Sequence, residues 1–223
     1  MLELQEIVYN ICIITIIQSI VFYQPILKNY NDEIKFNYYR SLMCITFTSI
    51  GLNILIKHFW NGIRHPFAFK HTDMNEAYNL FMSYLVVDLV YMIATKNKRS
   101  DLYLHHILLI VSLLLSYSAN RFGYLQSIIL ICELISIVSG VDSMALDDKD
   151  SKLSYLCKKF RKYSIKYVRL PLWICLFVYI IGYTNKIPSV LWYGGLVTSG
   201  TMIYLDRYWE SKCDKVISKY EVV

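Results

Sequence analysis

Residues 102–118 read LYLHHILLIVSLLLSYS. The seventeen positions carry no Asp, Glu, Lys or Arg. Wound as an α-helix rising ~1.5 Å per residue, they cover most of the ~30 Å of hydrocarbon in a bilayer. The stretch is a membrane span with an anomaly, because His105 and His106 stand side by side near its start. An ionisable side chain in a span is costly and marks a functional site until shown otherwise.

The rest of the chain agrees with that reading. Of 223 residues, 56% are hydrophobic and 18% charged, and the mean hydropathy is +0.37. Soluble domains are less apolar than this. The apolar residues fall in blocks, which predict spans over roughly Ile7–Leu27, Ser41–Ile56, Ala77–Thr95, Leu102–Ser118, Gly123–Val141, Leu170–Tyr183 and Pro188–Leu205. The expected fold class is all-α, a polytopic membrane helix bundle or barrel of about seven transmembrane helices. The opening residues, MLELQE, are acidic and lack a basic n-region, so the first span is expected to be retained. Pro171 and Pro188 fall at expected span starts, where a missing N–H is tolerated.

Charge orients the spans. Seven spans place 5 of the 23 Lys and Arg on one side and 18 on the other. The positive-inside rule then expects a lumenal or outside N-terminus and a cytoplasmic C-terminus. The expected location is the endoplasmic reticulum or another internal membrane. Residues Asp147–Arg169 form the one long polar segment. In it Leu153, Leu156, Phe160 and Tyr163 recur at helical spacing among Lys and Arg, which predicts a basic amphipathic helix on the cytoplasmic surface. It serves either as ordinary interfacial charge or as a collector of anionic substrate. The six cysteines occur singly, as apolar packing residues, and indicate neither a disulfide framework nor a metal site. No nucleic-acid partner is expected.

The ionisable residues within or at the edges of spans are Asp88, His105, His106, Glu133 and Arg169. Counting ~1.5 Å per residue from the span ends puts all five in the cytoplasmic half, on four consecutive spans that can surround one cavity. Adjacent helical positions point ~100° apart, so His105 and His106 are expected to meet different neighbours. Imidazole can act as general base, nucleophile or metal ligand, and a carboxylate such as Asp88 or Glu133 can hold its tautomer. Adjacent histidines lack the i, i+3 or i, i+4 spacing of a two-ligand helix, so no metal is expected. An interhelical His–Asp hydrogen bond with a structural role is the competing reading. His58, His65 and His71 read as solvated loop residues.

Taken together, these residues resemble a known pattern. From about Tyr38 to Lys212 the chain resembles the TLC-domain family, shared by ceramide synthases, translocating-chain-associated membrane proteins and a neuronal lipofuscinosis protein. The resemblance rests on YYRSLMC with Arg40 and Ser41, SYLVVDLVYM with Tyr84 and Asp88, LHHILL, CELISIVSG with Glu133, VRLP with Arg169 and Pro171, and LDRYW at Leu205–Trp209. The chain departs at Cys44, where many relatives have His, at Asp206, where the family has Asn, and after Glu133, where a Pro and an Asn are missing. The fifth span also carries fewer acids than ceramide synthases do, which places the chain nearer the other branches. The resemblance implies residues 1–37 as an N-terminal helix and connector, 38–212 as a six-helix TLC domain and 213–223 as a cytoplasmic tail.

It further implies a helical barrel with a lipid cavity open to the cytoplasm and a role in membrane lipid composition. Membrane lipids are the implied partners. No cofactor is implied, though acyl-CoA is a possible co-substrate for a ceramide-synthase-like acyltransferase. On that reading His105, His106, Asp88 and Glu133 are the catalytic candidates, and Arg169, Tyr84 and Arg40 bind substrate. A non-catalytic trafficking or translocon-associated factor is a further expectation. A seven-span signalling receptor shares the count and orientation, but LHHILL and LDRYW fit the lipid family better.

Overall fold

The computed structural model describes residues 4–64, 72–119, 123–184 and 187–221. Ten α-helices follow in order: α1 Leu4–Phe22, α2 Asp32–Lys57, α3 Phe59–Arg64, α4 Thr72–Ala94, α5 Ser100–Ala119, α6 Gly123–Ile131, α7 Ser139–Asp147, α8 Ser151–Ser164, α9 Leu170–Gly182 and α10 Ser189–Glu221. Among the described residues, six helical stretches are long and apolar enough to cross a membrane: 4–22, 32–57, 74–94, 100–119, 124–147 and 151–182. The seventh expected span lies inside α10. That helix has 33 residues, long enough to cross and to carry the C-terminal segment onward as helix. The protein is an all-helical, multi-pass integral membrane protein.

The helices close into a ring. α4 packs on α5, α5 on α10, α10 on α8 and α9, and α8 on α7. α6 and α7 pack on α2, which returns to α4. α1 lies against α4 and α2 and buries only Ile14 and Val21 of its own residues. The outward surface is apolar, as at Ile16, Ile20, Val90, Val178 and Val197, and so fits a hydrocarbon surround. A set of ionisable residues lies inside. Arg40, Asp88, His105, His106, Glu133, Asp142, Arg169 and Asp206 are all buried.

Several boundaries differ from the sequence expectation, each for a physical reason. α2 begins nine residues before the expected Ser41, at Asp32. Asn31 caps it by accepting from Ile34 N at 3.0 Å, with Asp32 and Glu33 favourably placed in the first turn. Arg40, just before the expected start of the second span, therefore lies within a helix, as does the end of the expected connector.

The expected fifth span is broken. α6 stops at Ile131, a 3₁₀ segment runs Cys132–Ser136, and α7 carries on to Asp147. The polar segment before the sixth span is no separate surface helix. α8 passes through a π-helical turn, Ile165–Arg169, directly into α9. Pro171 explains the widened turn, since its ring removes an N–H and crowds the preceding turn. Proline here shapes the interior of a long helix rather than opening a span. The stripe Leu153, Leu156, Phe160 and Tyr163 does occupy one face, and that face is exposed. Lys158 and Arg161 turn inward instead, with side chains 15% and 24% exposed. His58 does lie in the turn after α2, but it is buried rather than solvated. His65 and His71 lie outside the described residues.

Glycine sets how closely α2 meets its neighbours. A Cβ on Gly140 would come 2.4 Å from Tyr38 Cα, and one on Gly51 would come 2.8 Å from the Ser127 carbonyl. Small residues let helix backbones approach in this way within a membrane. The seam is fastened by Gly140 N, which donates to Ser41 Oγ at 2.7 Å. Beside it, aromatic rings fill the space between α2 and α4, with Phe36 stacked on Tyr91 at 3.6 Å and Phe47 edge-on to Phe81 at 4.9 Å.

Candidate functional site: a charged cavity inside the ring

The two irregular backbone segments meet at the centre of the molecule. Leaving the α-helix at Cys132–Ser136 frees carbonyls that would otherwise lack donors in an apolar interior. Three side chains supply them. Arg169 Nη1 donates to the Cys132 carbonyl at 2.9 Å, Arg161 Nε to that of Ile135 at 3.2 Å, and Ser41 Oγ to that of Ser136 at 3.3 Å. The break thus presents Glu133 to the interior while α8, the π-helical turn and α2 hold its backbone.

His105 and His106 enter from α5 and diverge as their helical spacing requires. His106 turns toward α4 and α2. Its Nε2 lies 2.5 Å from Asp88 Oδ2, and its Nδ1 lies 2.7 Å from the Leu102 carbonyl. A carbonyl oxygen only accepts, so Nδ1 carries a hydrogen. Asp88 is gripped from the other side by Arg40, whose Nε donates to Oδ1 at 2.6 Å and whose Nη2 donates to Oδ2 at 2.7 Å. Forked, charge-assisted pairs of this kind are among the strongest side-chain contacts. Both nitrogens of His106 are therefore engaged with acceptors, and neither offers a lone pair to the cavity.

His105 is held more loosely. Its ring packs edge-on to Trp209, with centroids 5.6 Å apart. Its Nε2 lies 3.6 Å from Glu133 Oε1, close enough for charge interaction but beyond hydrogen-bond reach. Its Nδ1 has no hydrogen-bond partner among the described residues. The other oxygen of Glu133 accepts from Cys44 Sγ at 3.6 Å. Catalytic contacts in unliganded sites are often this long and tighten when substrate arrives.

Arg169 completes the centre. Its Nε lies 2.7 Å from Asp206 Oδ1, and its guanidinium covers the Trp209 ring at 5.0 Å. Trp209 Nε1 in turn donates to Asp101 Oδ2 at 2.7 Å. The sequence reading quoted Asp206 only as a departure from a motif. Here it is the counter-charge to a buried arginine. Asp142 was missed because it falls just past the expected end of the fifth span. It is buried, is gripped by Lys158 and accepts from Ser154 Oγ at 3.0 Å. An acid facing basic residues across a turn was the available signal.

Two cavities, of about 250 and 370 Å³, open on these groups and share Arg99, Leu102, His105, Ser136, Lys158 and Arg161 as wall. The first adds Arg40, Tyr84, His106 and Glu133. The second adds Arg169, Trp209 and Lys212. Every candidate site residue read from the sequence thus lines one of the two cavities except Asp88, which stands behind Arg40 and His106 at 0% exposure. The cations Arg99, Lys158, Arg161 and Lys212 lie toward the end of the ring that holds the α4–α5 and α7–α8 turns.

A closed ring of apolar helices around a buried, charged cavity defines a barrel-like integral membrane protein. The chain belongs to the TLC-domain family, whose model matches residues 33–213. No curated protein and no solved structure matches it.

Proposed function

We propose that the protein binds a membrane lipid in its intramembrane cavity, with the polar end of the lipid at His105, and so affects membrane lipid composition. The observation that carries this is a cation-edged polar cavity enclosed by helices whose outer faces are apolar. An amphipathic ligand matches both surroundings. The cation-edged end faces the cytoplasm in this reading, and the protein resides in the endoplasmic reticulum or another internal membrane.

A second reading is supported by the free Nδ1 of His105. An imidazole with one unpaired nitrogen, a carboxylate beside the other and cations at the entrance suits acyl transfer from acyl-CoA. In that reaction Nδ1 either attacks the thioester carbonyl and expels the CoA thiolate, the acyl group then passing from the imidazole to the acceptor amine or hydroxyl as that loses its proton, or it takes the acceptor's proton while the acceptor attacks the thioester and the CoA thiolate leaves. Glu133 steadies the positive charge that builds on the ring. Arg99, Lys158, Arg161 and Lys212 face the CoA phosphates. His106, with both nitrogens engaged, positions α5 and does not react.

One experiment tests both readings. Protein purified in detergent is supplied with labelled acyl-CoA and a panel of amine and lysolipid acceptors, and its co-purified lipid is measured. Wild type is compared with His105→Ala and His106→Ala. The expected result is bound lipid in wild type and less in His105→Ala. Product formed by wild type and lost in His105→Ala establishes transfer, and equal product from all three removes it. Absence of both lipid and product overturns the lipid reading and leaves a trafficking or translocon-associated role.

A further inference from the structure

A third cavity lies deeper in the ring, between α5, α6, α9 and α10. Its wall includes Ser112 and Ser116, seven and eleven residues beyond His105 on α5, which puts it ~10–16 Å further along the helix axis. Leu and Ile side chains and two glycines make up most of the wall, with Ser112, Ser116, Thr198 and Ser199 among them. Two further residues of the wall each carry a polar atom without a partner among the described residues. Gln126 is 3% exposed, and its Nε2 donates to Ser116 Oγ at 2.5 Å and to the Ser112 carbonyl at 3.4 Å. The carbonyl can only accept, which fixes the amide orientation and leaves Gln126 Oε1 without a donor among the described residues. Trp173 is 1% exposed, and its Nε1 has no acceptor among the described residues. Both residues line the same cavity.

A buried acceptor and a buried donor, each unmatched, are costly to keep in an apolar wall. A hydroxyl is a small group that can donate to an amide oxygen such as Gln126 Oε1 and accept from an indole N–H such as that of Trp173. The cavity volume, about 50 Å³, holds a few water-sized units, enough for a hydroxyl and the last carbons of a chain. A plain methyl end would fill the same space and leave both polar atoms unmatched.

We infer that this inner cavity selects a lipid chain bearing a hydroxyl at or near its far end, read by Gln126 and Trp173. The inference rests on the lipid-binding reading and adds a chemical class to it. The test is equilibrium binding of a radiolabelled ω-hydroxy fatty acid and its plain saturated twin to the detergent-purified full chain, over a series of chain lengths. In wild type the hydroxylated chain binds about tenfold or more tighter at one length. Trp173→Phe, which keeps an aromatic ring and removes the donor, and Gln126→Leu, which removes the acceptor, each bring the ratio toward one while plain-chain binding persists. Equal binding of the two chains by wild type at every length overturns the inference and leaves lipid binding standing. Binding of neither chain overturns both.

Discussion

His105 and His106 are chain neighbours on one helix, yet they stand in opposite circumstances. His106 belongs to a saturated network: its two nitrogens meet Asp88 and the Leu102 carbonyl, and Arg40 donates twice to Asp88, all at 2.5–2.7 Å. His105 faces Glu133 at 3.6 Å, keeps a buried nitrogen without a hydrogen-bond partner among the described residues and borders both polar cavities. One histidine spends its chemistry on holding three helices together, and the other retains it for whatever enters. In the proposed function, adjacent and identical residues thus divide scaffold from ligand contact through the ~100° that separates them on the helix.

The heaviest blow to the saturated side is Asp88→Ala. It leaves Arg40 and the His106 ring buried without their counter-charge, and removing one partner of a buried pair costs about 3–5 kcal/mol. Thermal unfolding in detergent should show a large loss, and a near-wild-type midpoint would refute the scaffold role. A milder disturbance of the same wall is Gly140→Ala, whose new methyl meets the Tyr38 backbone, which cannot turn aside. The expected cost is about 1–3 kcal/mol. Gly200→Ala is the control, because its nearest neighbour is Phe177 Cε2 at 3.6 Å.

The open side should behave otherwise. Glu133→Gln keeps the side-chain shape and disrupts no short hydrogen bond, so it should shift unfolding by no more than about 1 kcal/mol. The same variant should lose bound lipid or product in the assay of the proposed function. A drop in stability as large as that of Asp88→Ala would place Glu133 in the scaffold and dissolve the contrast between the two histidines.

Much of this was legible in the chain. The apolar blocks announced the membrane helices, and six of the expected spans overlap stretches long and apolar enough to cross. The motif residues converge because each is an ionisable or polar group set in an apolar run, which forces it inward. What escaped notice were continuities and breaks. Arg40 looked like loop charge because it adjoins a polar connector, yet the Asn31 cap starts the helix well before it. Glu133 looked helical because CELIS sits in an unbroken apolar run. The break there depends on Arg169, Arg161 and Ser41, which come from other helices to take the freed carbonyls.

Local composition was enough to establish a multi-pass helical membrane protein with buried charge, because hydrocarbon penalises every exposed backbone and ionised group and the pattern of apolar runs records that penalty. Which charges pair, and which histidine remains open, could not be read this way. Asp88 was near His105 and His106 alike in any count of turns. Its choice of His106, and the fall of Glu133 beside His105, follow from how α4 and the broken fifth span rotate against α5. That rotation is set by contacts between residues 48 and 95 positions apart, such as Arg40 with Asp88 and Ser41 with Ser136, which no local periodicity contains.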